Sequence, residues 1–266
     1  VSLATPHSEL ASLAVAALEA GRHVLVEKPA GRTLAELEAV ETAARRAART
    51  VGVMYVLRSD PAVVTVRRLI ADGAIGAVRA VRIQTVIDKP DDYFVAWRAD
   101  RATSGGGVLL MNSSHQLDAV RFMTGLDYTS VVAELSPTEG VEHWAGAVYR
   151  MPGDVIVSLA ASARSPGAQA QERIEIEGDR GRIEIGGRRG VVRIHPRSAW
   201  RELPGGRWTD LAVERGWLYR ATVADFVKAA ALGEPPLATT GDARAVLAAV
   251  GGAYESARIG SRVPLA

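Results

Sequence analysis

The pattern of apolar segments changes partway along the chain, and that change limits the folds open to it. Up to about residue 60, short apolar runs alternate with helix-length stretches; from Ala77 onward, apolar runs follow one another with only turns between. Val1 to Thr5, His23 to Glu27 and Val51 to Val56 read as buried strands. Between them Ser8 caps an apolar helix to Ala20 that Gly21 closes, and Thr33-Leu34-Ala35-Glu36 has the spacing of a capping box for a helix to about Ala48. Strands alternating with helices of this length predict consecutive parallel βαβ units.

Asp60-Pro61 pairs an N-cap with an N1 proline and starts a helix that ends at Asp72-Gly73. A long strand begins at Val78, and Gly105-Gly106-Gly107 precede an amphipathic helix through about Met123. Six strand-like segments follow, near 129 to 136, 141 to 150, 154 to 162, 172 to 177, 181 to 185 and 190 to 195, with turns such as Gly178-Asp179. Ile174, Ile176, Ile183 and Ile185 alternate with Glu and Arg, so this sheet has one apolar and one charged face. Two helices, near 217 to 231 and 242 to 257, close the chain. The expected fold is therefore α/β plus α+β: a partial doubly wound parallel βαβ part over residues 1 to 60, then a part over 61 to 266 with a large, mostly antiparallel open sheet.

Composition removes several function classes. The net charge is +2 and the arginines are spread along the chain between acidic residues, so no basic stripe argues for nucleic acid. There is no cysteine, which excludes disulfides, thiolate metal sites and a cysteine nucleophile and is compatible with a reducing cytosol. Charge interrupts every apolar run short of the roughly 18 residues a membrane helix needs, so a soluble, cytoplasmic protein is expected.

Only Lys28, Lys89 and Lys228 are lysines, against 29 arginines. Lys28 follows the apolar run His23-Val24-Leu25-Val26, in Glu27-Lys28-Pro29. An ammonium loses its proton readily when buried, whereas guanidinium stays charged, so a lysine kept at the end of a buried strand marks a place where a proton moves. Chance retention in an arginine-rich composition is the alternative.

Ligands of open parallel sheets bind beyond the carboxyl ends of the strands, which brings Thr5-Pro6-His7, Glu27-Lys28-Pro29 and Arg58 to one crevice. Taken alone, Thr5-Pro6-His7 also fits a turn with a helix cap, and Arg58 a surface arginine. Asn112, His115 and Asp118 are spaced three apart and share a helix face. A histidine there is a proton acceptor near neutral pH, or a packed helix histidine. Trp97-Arg98 either roofs a ligand, with arginine holding an anion bidentately, or divides into core and surface. No second ligand stands at metal spacing from His115, so no metal is expected, and His23, His143 and His195 are read as structural. The triple glycine is not a dinucleotide fingerprint, since no G-x-G-x-x-G occurs in the 266 residues; it permits close approach at the mouth of a helix.

Together the segments ATPHSELASLAVAALEAGRHVLVEKPAGRTLAE, RSDPAVVTVRRLIADGAIGAV, WRADRATSGGGVLLMNSSHQLDAV and VADFVKAAALGEPPLATTGDARAVLAAVGGAYES resemble the glucose-fructose oxidoreductase, inositol dehydrogenase and rhizopine-catabolism family, Gfo/Idh/MocA. The resemblance implies a Rossmann domain for NAD or NADP and a C-terminal domain whose open sheet joins homodimers or homotetramers. It implies that Lys28 and His115 are catalytic on a sugar, inositol or polyol. Thr5, Pro6, His7, Glu27, Lys28 and Arg98 would then border the cofactor. Arg58, Trp97, Asn112, His115 and Asp118 would lie on the substrate side, and the terminal helix would pack back on the Rossmann part.

Two departures accompany the resemblance. Met111 stands where many members carry Asp or Asn, and a thioether relays no proton. The family's first βαβ unit, with the pyrophosphate-binding glycines and the acid that selects NAD or NADP, would precede Val1. From this we expect weak dinucleotide binding and an exposed strand edge at Val1 that favours aggregation or a covering partner. A non-catalytic ligand-binding or assembly protein is the competing expectation.

Overall fold

A computed structural model describes residues 1–168, 171–186, 191–214 and 216–265. The three apolar strands β1 (Ser2–Leu3), β2 (Val24–Val26) and β3 (Val51–Val53) form a parallel sheet in that order, joined by helices α1 (His7–Glu19) and α2 (Leu34–Ala47). Strands β2 and β3 are buried throughout, as a layer covered on both sides must be. Among the described residues strand β1 pairs only with β2, and the Val1 ammonium donates to the His23 carbonyl at 2.8 Å.

The helix ends differ in part from the expected signals. The cap position of α1 is Pro6 and carries no side-chain hydrogen bond, so Ser8 lies inside the helix rather than capping it. Proline has no N–H to satisfy and its fixed φ suits a helix start. Thr33 caps α2 by accepting from the Glu36 amide at 3.2 Å, but the Glu36 carboxylate turns to the Arg32 amide at 2.7 Å instead of completing the box. The third strand is shorter than expected: after Val53 the chain tightens into a 3-10 turn, Val56–Ser59, before α3 (Pro61–Ala71), which Asp60 caps at 2.8 Å.

The second sheet holds nine strands in the order β11-β10-β9-β8-β4-β7-β6-β5-β12. These are β4 (Val78–Val86), β5 (Ser130–Ser136), β6 (Trp144–Met151), β7 (Val155–Ser162), β8 (Gln171–Gly178), β9 (Gly181–Ile185), β10 (Val191–Pro196), β11 (Thr209–Ala212) and β12 (Val263–Pro264). All neighbours are antiparallel except β4 and β7 at its centre. The expected start of a strand at residue 190 lies outside the described residues.

Between β4 and β5 stand the one-turn helix α4 (Arg101–Ser104), a π-turn (Leu109–Ser113) and α5 (Ser114–Thr124); after β11 come α6 (Leu218–Leu232) and α7 (Thr240–Ile259). The π-turn replaces the first turn of the helix expected from Gly107. Ile174, Ile176, Ile183 and Ile185 are buried on the helix-covered face of the sheet. Arg82, Glu175, Glu177 and Arg182 form an ion-pair ladder on the open face, and the β5–β7 end of that face shows Val132, Trp144, Val148 and Ile156 to solvent.

Helix α7 returns to the first sheet. Arg244 meets Glu41 of α2 at 2.5 Å, and the Ala238 carbonyl just before α7 accepts from the Val53 amide at 3.0 Å. Phe226 of α6 packs with Leu25, Met54 and Val56. One continuous apolar core runs from α1 to α7, so the two sheets share their packing. Among the described residues no helix is long and apolar enough to cross a membrane.

Candidate active site

The crevice is built where strand ends of the parallel sheet meet the segment between β4 and α5. After β1, His7 is buried at the start of α1 with Nδ1 at 2.7 Å from the Ser104 carbonyl. Burial, reinforced by the fields of Lys28, Arg98 and Arg32, lowers its pKa to about 4 against the opposing Ser104 bond, so the imidazole is neutral at pH 7. Its ring packs on Trp97 with centroids 4.7 Å apart. Arg98 lies 4.5 Å from the Trp97 ring and 4.7 Å from the Tyr93 ring. The Thr5 hydroxyl is buried with no partner among the described residues.

After β2, the half-buried Lys28 sends its ammonium to the backbone carbonyl of Met111 in the π-turn. Loss of water lowers its pKa to about 8; Lys89 and Arg98 push the same way, and Glu27 and Glu172 oppose. The Glu27 carboxylate accepts from the Lys28 amide at 3.2 Å, and burial raises its pKa.

His115 sits one residue into α5. Burial first, and Lys28 second, hold its pKa well below 6.5, and its Nδ1 is buried without a partner among the described residues, as is Oδ1 of Asn112. Tyr55, just after β3, presents its edge to the His115 ring at 6.2 Å, and its buried hydroxyl also lacks a partner among the described residues. The structure thus joins Lys28 to the π-turn that leads into His115, and His7 to Trp97 and Arg98. A neutral imidazole beside an ammonium with a pKa near 8 is an arrangement able to accept and pass on a proton. Met111 takes part through its carbonyl, so the thioether is no obstacle to this geometry.

The triple glycine serves packing. Glu142, fully buried, accepts from the Gly107 amide at 2.7 Å, the Leu109 amide at 2.9 Å and the Tyr254 hydroxyl at 3.1 Å. A Cβ on Gly107 would stand 1.9 Å from the Glu142 carbonyl oxygen, and one on Gly106 would stand 1.8 Å from the Tyr254 hydroxyl. Gly105, at φ +82°, closes α4 in the left-handed region.

Arg58 and Asp118 require correction. They pair with each other bidentately at 2.8 and 2.7 Å, and Arg58 also reaches Asp242 at 2.7 Å and the Leu237 carbonyl at 2.8 Å. Every guanidinium nitrogen is engaged and both side chains are buried, so the pair locks α5 to the turn before α3 and to α7 instead of facing a ligand. The three-residue spacing from His115 misled because Asp118 lies one turn deeper in the core.

Sequence reasoning missed Tyr55, Glu142 and Lys89. The scarcity of lysine that singled out Lys28 applies equally to Lys89, also followed by proline, whereas nothing local marks Glu142 as the acceptor for a loop 33 residues before it.

Residues 63–184 match the GFO/IDH/MocA C-terminal domain, and residues 1–55 match an oxidoreductase family described as having an NAD-binding Rossmann fold. The myo-inositol dehydrogenase Hyg17 of Streptomyces leeuwenhoekii is 30% identical over 273 residues, covering 98% of this chain and 78% of that protein. The chain belongs to the GFO/IDH/MocA oxidoreductase family. Another family relative, 1,5-anhydro-D-fructose reductase of Ensifer adhaerens, is 37% identical over 119 residues, 45% of this chain. That match spans 35% of the relative's own length, about a third. Among solved structures, levoglucosan dehydrogenase in complex with NADH and levoglucosan superposes with a TM-score of 0.89 at 25% identity, covering 100% of this chain and 79% of that one. The GFO/IDH/MocA fold thus extends over both sheets.

Proposed function

We propose that this chain acts as an NAD(P)-dependent oxidoreductase on a hydroxyl carbon of a sugar, inositol or related polyol, with Lys28 and His115 as the catalytic pair. The bond from Lys28 to the Met111 carbonyl carries this reading, because it fixes an ammonium of lowered pKa against the turn that presents a neutral imidazole. The residues fit the nicotinamide end of a dinucleotide: Thr5, Asn112 and His115 each hold a buried polar atom that no group among the described residues satisfies. A nicotinamide bound there supplies the hydride acceptor.

In this reading His115 accepts the hydroxyl proton as the C–H hydride leaves. Lys28 donates a hydrogen bond to the same oxygen, orients it and, with a pKa of about 8, exchanges the proton with solvent at working pH. Pro6, His7, Glu27 and Arg98 border the cofactor, while Trp97 and Asn112 face the substrate. Residues 1–60 form the cofactor side and 61–266 the substrate side. The names of the inositol and levoglucosan dehydrogenases among the relatives support the polyol class.

The exposed Val132, Trp144, Val148 and Ile156 make the β5–β7 end of the open sheet the surface on which copies of this chain associate, in keeping with the preference of apolar patches for partners. The complete lack of cysteine supports a cytoplasmic setting. The test is spectrophotometric: NAD and NADP reduction by the purified protein with a panel of sugars, inositols and polyols. No reduction with any pair, or equal activity after Lys28→Arg, would overturn the assignment.

A further inference from the structure

Glu142 lies in the loop before β6, and its carboxylate is fully buried with no ion pair among the described residues. It holds three consecutive amides: Oε2 accepts from Gly107 at 2.7 Å, the backbone carbonyl from Val108 at 2.9 Å and Oε1 from Leu109 at 2.9 Å. The first N–H groups of a helix have no partner inside it and are usually met by a side chain just ahead of it in sequence. Here, for the helical run that leads from Val108 through the π-turn into α5, the cap comes from a residue 33 to 35 positions further along. A negative group at that end also meets the positive pole of the helix.

Burying an unpaired carboxylate is costly, and the bonds from the Gly107 and Leu109 amides and from the Tyr254 hydroxyl at 3.1 Å offset that cost. Tyr254 belongs to α7, and the Arg101 guanidinium lies 4.2 Å from its ring. Both carboxylate oxygens are acceptors. An amide side chain of the same shape cannot imitate this, because one of its two ends is a donor and would face another donor.

The clamped amides stand one turn before the contact that joins Lys28 to the turn of His115. The Met111 amide donates to the Gly107 carbonyl at 2.7 Å, the Met111 carbonyl accepts from Lys28, and His115 follows four residues later. A displacement at Gly107 to Leu109 is therefore passed on to both side chains. Resting on the oxidoreductase reading above, we propose that Glu142 is a positioning residue, which acts through Gly107, Val108 and Leu109 to hold the Met111 carbonyl against the Lys28 ammonium and to set His115 beside it.

The scarcity of lysine gives a direct readout. Lys28, Lys89 and Lys228 are the only lysines, so carbon-13-labelled lysine yields three side-chain NMR titrations, and Lys28→Arg assigns the one near pH 8. Glu27, Lys89, Arg98 and Glu172 act on Lys28 and are left in place. Glu142→Gln turns one acceptor into a donor, whereas Glu142→Asp keeps the charge and shortens the reach by one methylene. Both are expected to lower the Lys28 pKa by about half a unit to one unit, as the ammonium loses a carbonyl acceptor. In each, kcat for NAD(P) reduction falls about 10- to 100-fold while KM changes less. Ile176→Val, in the sheet core, loses stability and moves neither readout. If neither Glu142 variant folds, Tyr254→Phe removes a single donor and shifts the same titration by a smaller step in the same direction. A Lys28 pKa unmoved in the folded variants overturns the proposal. A shift in Glu142→Gln with none in Glu142→Asp overturns it too, because charge and not position is then at work. Absence of NAD(P) reduction by the parent protein would sink the oxidoreductase reading, while the NMR titration would still decide whether Glu142 sets Lys28.

Discussion

The ammonium of Lys28 donates to the backbone carbonyl of Met111, 83 residues further along the chain, in the π-turn that runs into the helix of His115. A carbonyl inside a regular α-helix is already taken by the amide four residues on, whereas a π-turn displaces that pattern and frees acceptors, which is why such turns recur at functional sites. The strand end that carries Lys28 and the helix that carries His115 are thereby held as one unit.

Because the Lys28 pKa falls to about 8, its neutral form gains population as pH rises through that value. His115, held well below 6.5, is already neutral there and adds no limb of its own near 6.5. The expected rate profile for alcohol oxidation rises through about pH 8. Lys28→Arg fixes the charge, removes that limb and lowers kcat/KM by about 10²- to 10⁴-fold, measured by steady-state kinetics from pH 6 to about 10.

Acid should loosen the fold through His7. Its folded pKa of about 4 lies below the ordinary 6.5, so the unfolded chain binds more protons between those values and stability falls as pH drops from 6.5 to 4. The loss attributable to His7 is roughly 3 kcal/mol at most. Urea unfolding at pH 7.5 and 4.5 should show it, and His7→Gln should shrink the difference without abolishing it, because the buried His115 acts in the same direction; an unchanged difference would remove His7 from the account.

Cutting one side of the Arg58–Asp118 pair leaves a buried carboxylate without its partner. Arg58→Met is expected to cost about 3 to 5 kcal/mol in denaturant unfolding, and the double variant Arg58→Met with Asp118→Leu less than Arg58→Met alone, since neither charge then remains. A double variant as unstable as the sum of the two singles would contradict the pairing.

Two glycines make an internal comparison. Gly107→Ala forces a methyl to within 1.9 Å of the Glu142 carbonyl, while a Cβ on Gly146, on the open face of β6, meets nothing within 4 Å. Gly107→Ala should lose at least about 2 kcal/mol, and Gly146→Ala should be neutral or gain up to about 1 kcal/mol, both read by chemical denaturation.

If copies associate through the open sheet, a charge in its apolar patch should separate them without melting the fold. Val148→Asp, at a side chain 41% exposed, is expected to shift the sedimentation profile to monomer with Tm within a few degrees of the parent. An unaltered assembly would place the interface elsewhere.

The periodicity of the chain was enough to locate the parallel strands, the antiparallel series and most helices, because each buries an apolar face set by its own residues. The Asp60-Pro61 start of α3 and the Ile174, Ile176, Ile183 and Ile185 face followed from local rules. The π-turn, the one-turn helix α4 and the strands β11 and β12 did not, since none carries an apolar period of its own length. Lys28 was legible from scarcity and position. The occupation of Arg58 and Asp118 by each other was not, because a charged residue reads the same whether its partner is a ligand or a carboxylate 60 positions away.

By itself, then, the sequence determined the longer helices and strands and their order, and it singled out Lys28 and His115 as candidates, all of which depend on neighbours within a few positions. Only the tertiary structure decided which charges neutralise one another. That depends on distances across the fold: it is packing between the two sheets that buries Arg58 against Asp118, joins Lys28 to Met111 and sets the Lys89 ammonium and the Arg98 guanidinium against the Tyr93 ring.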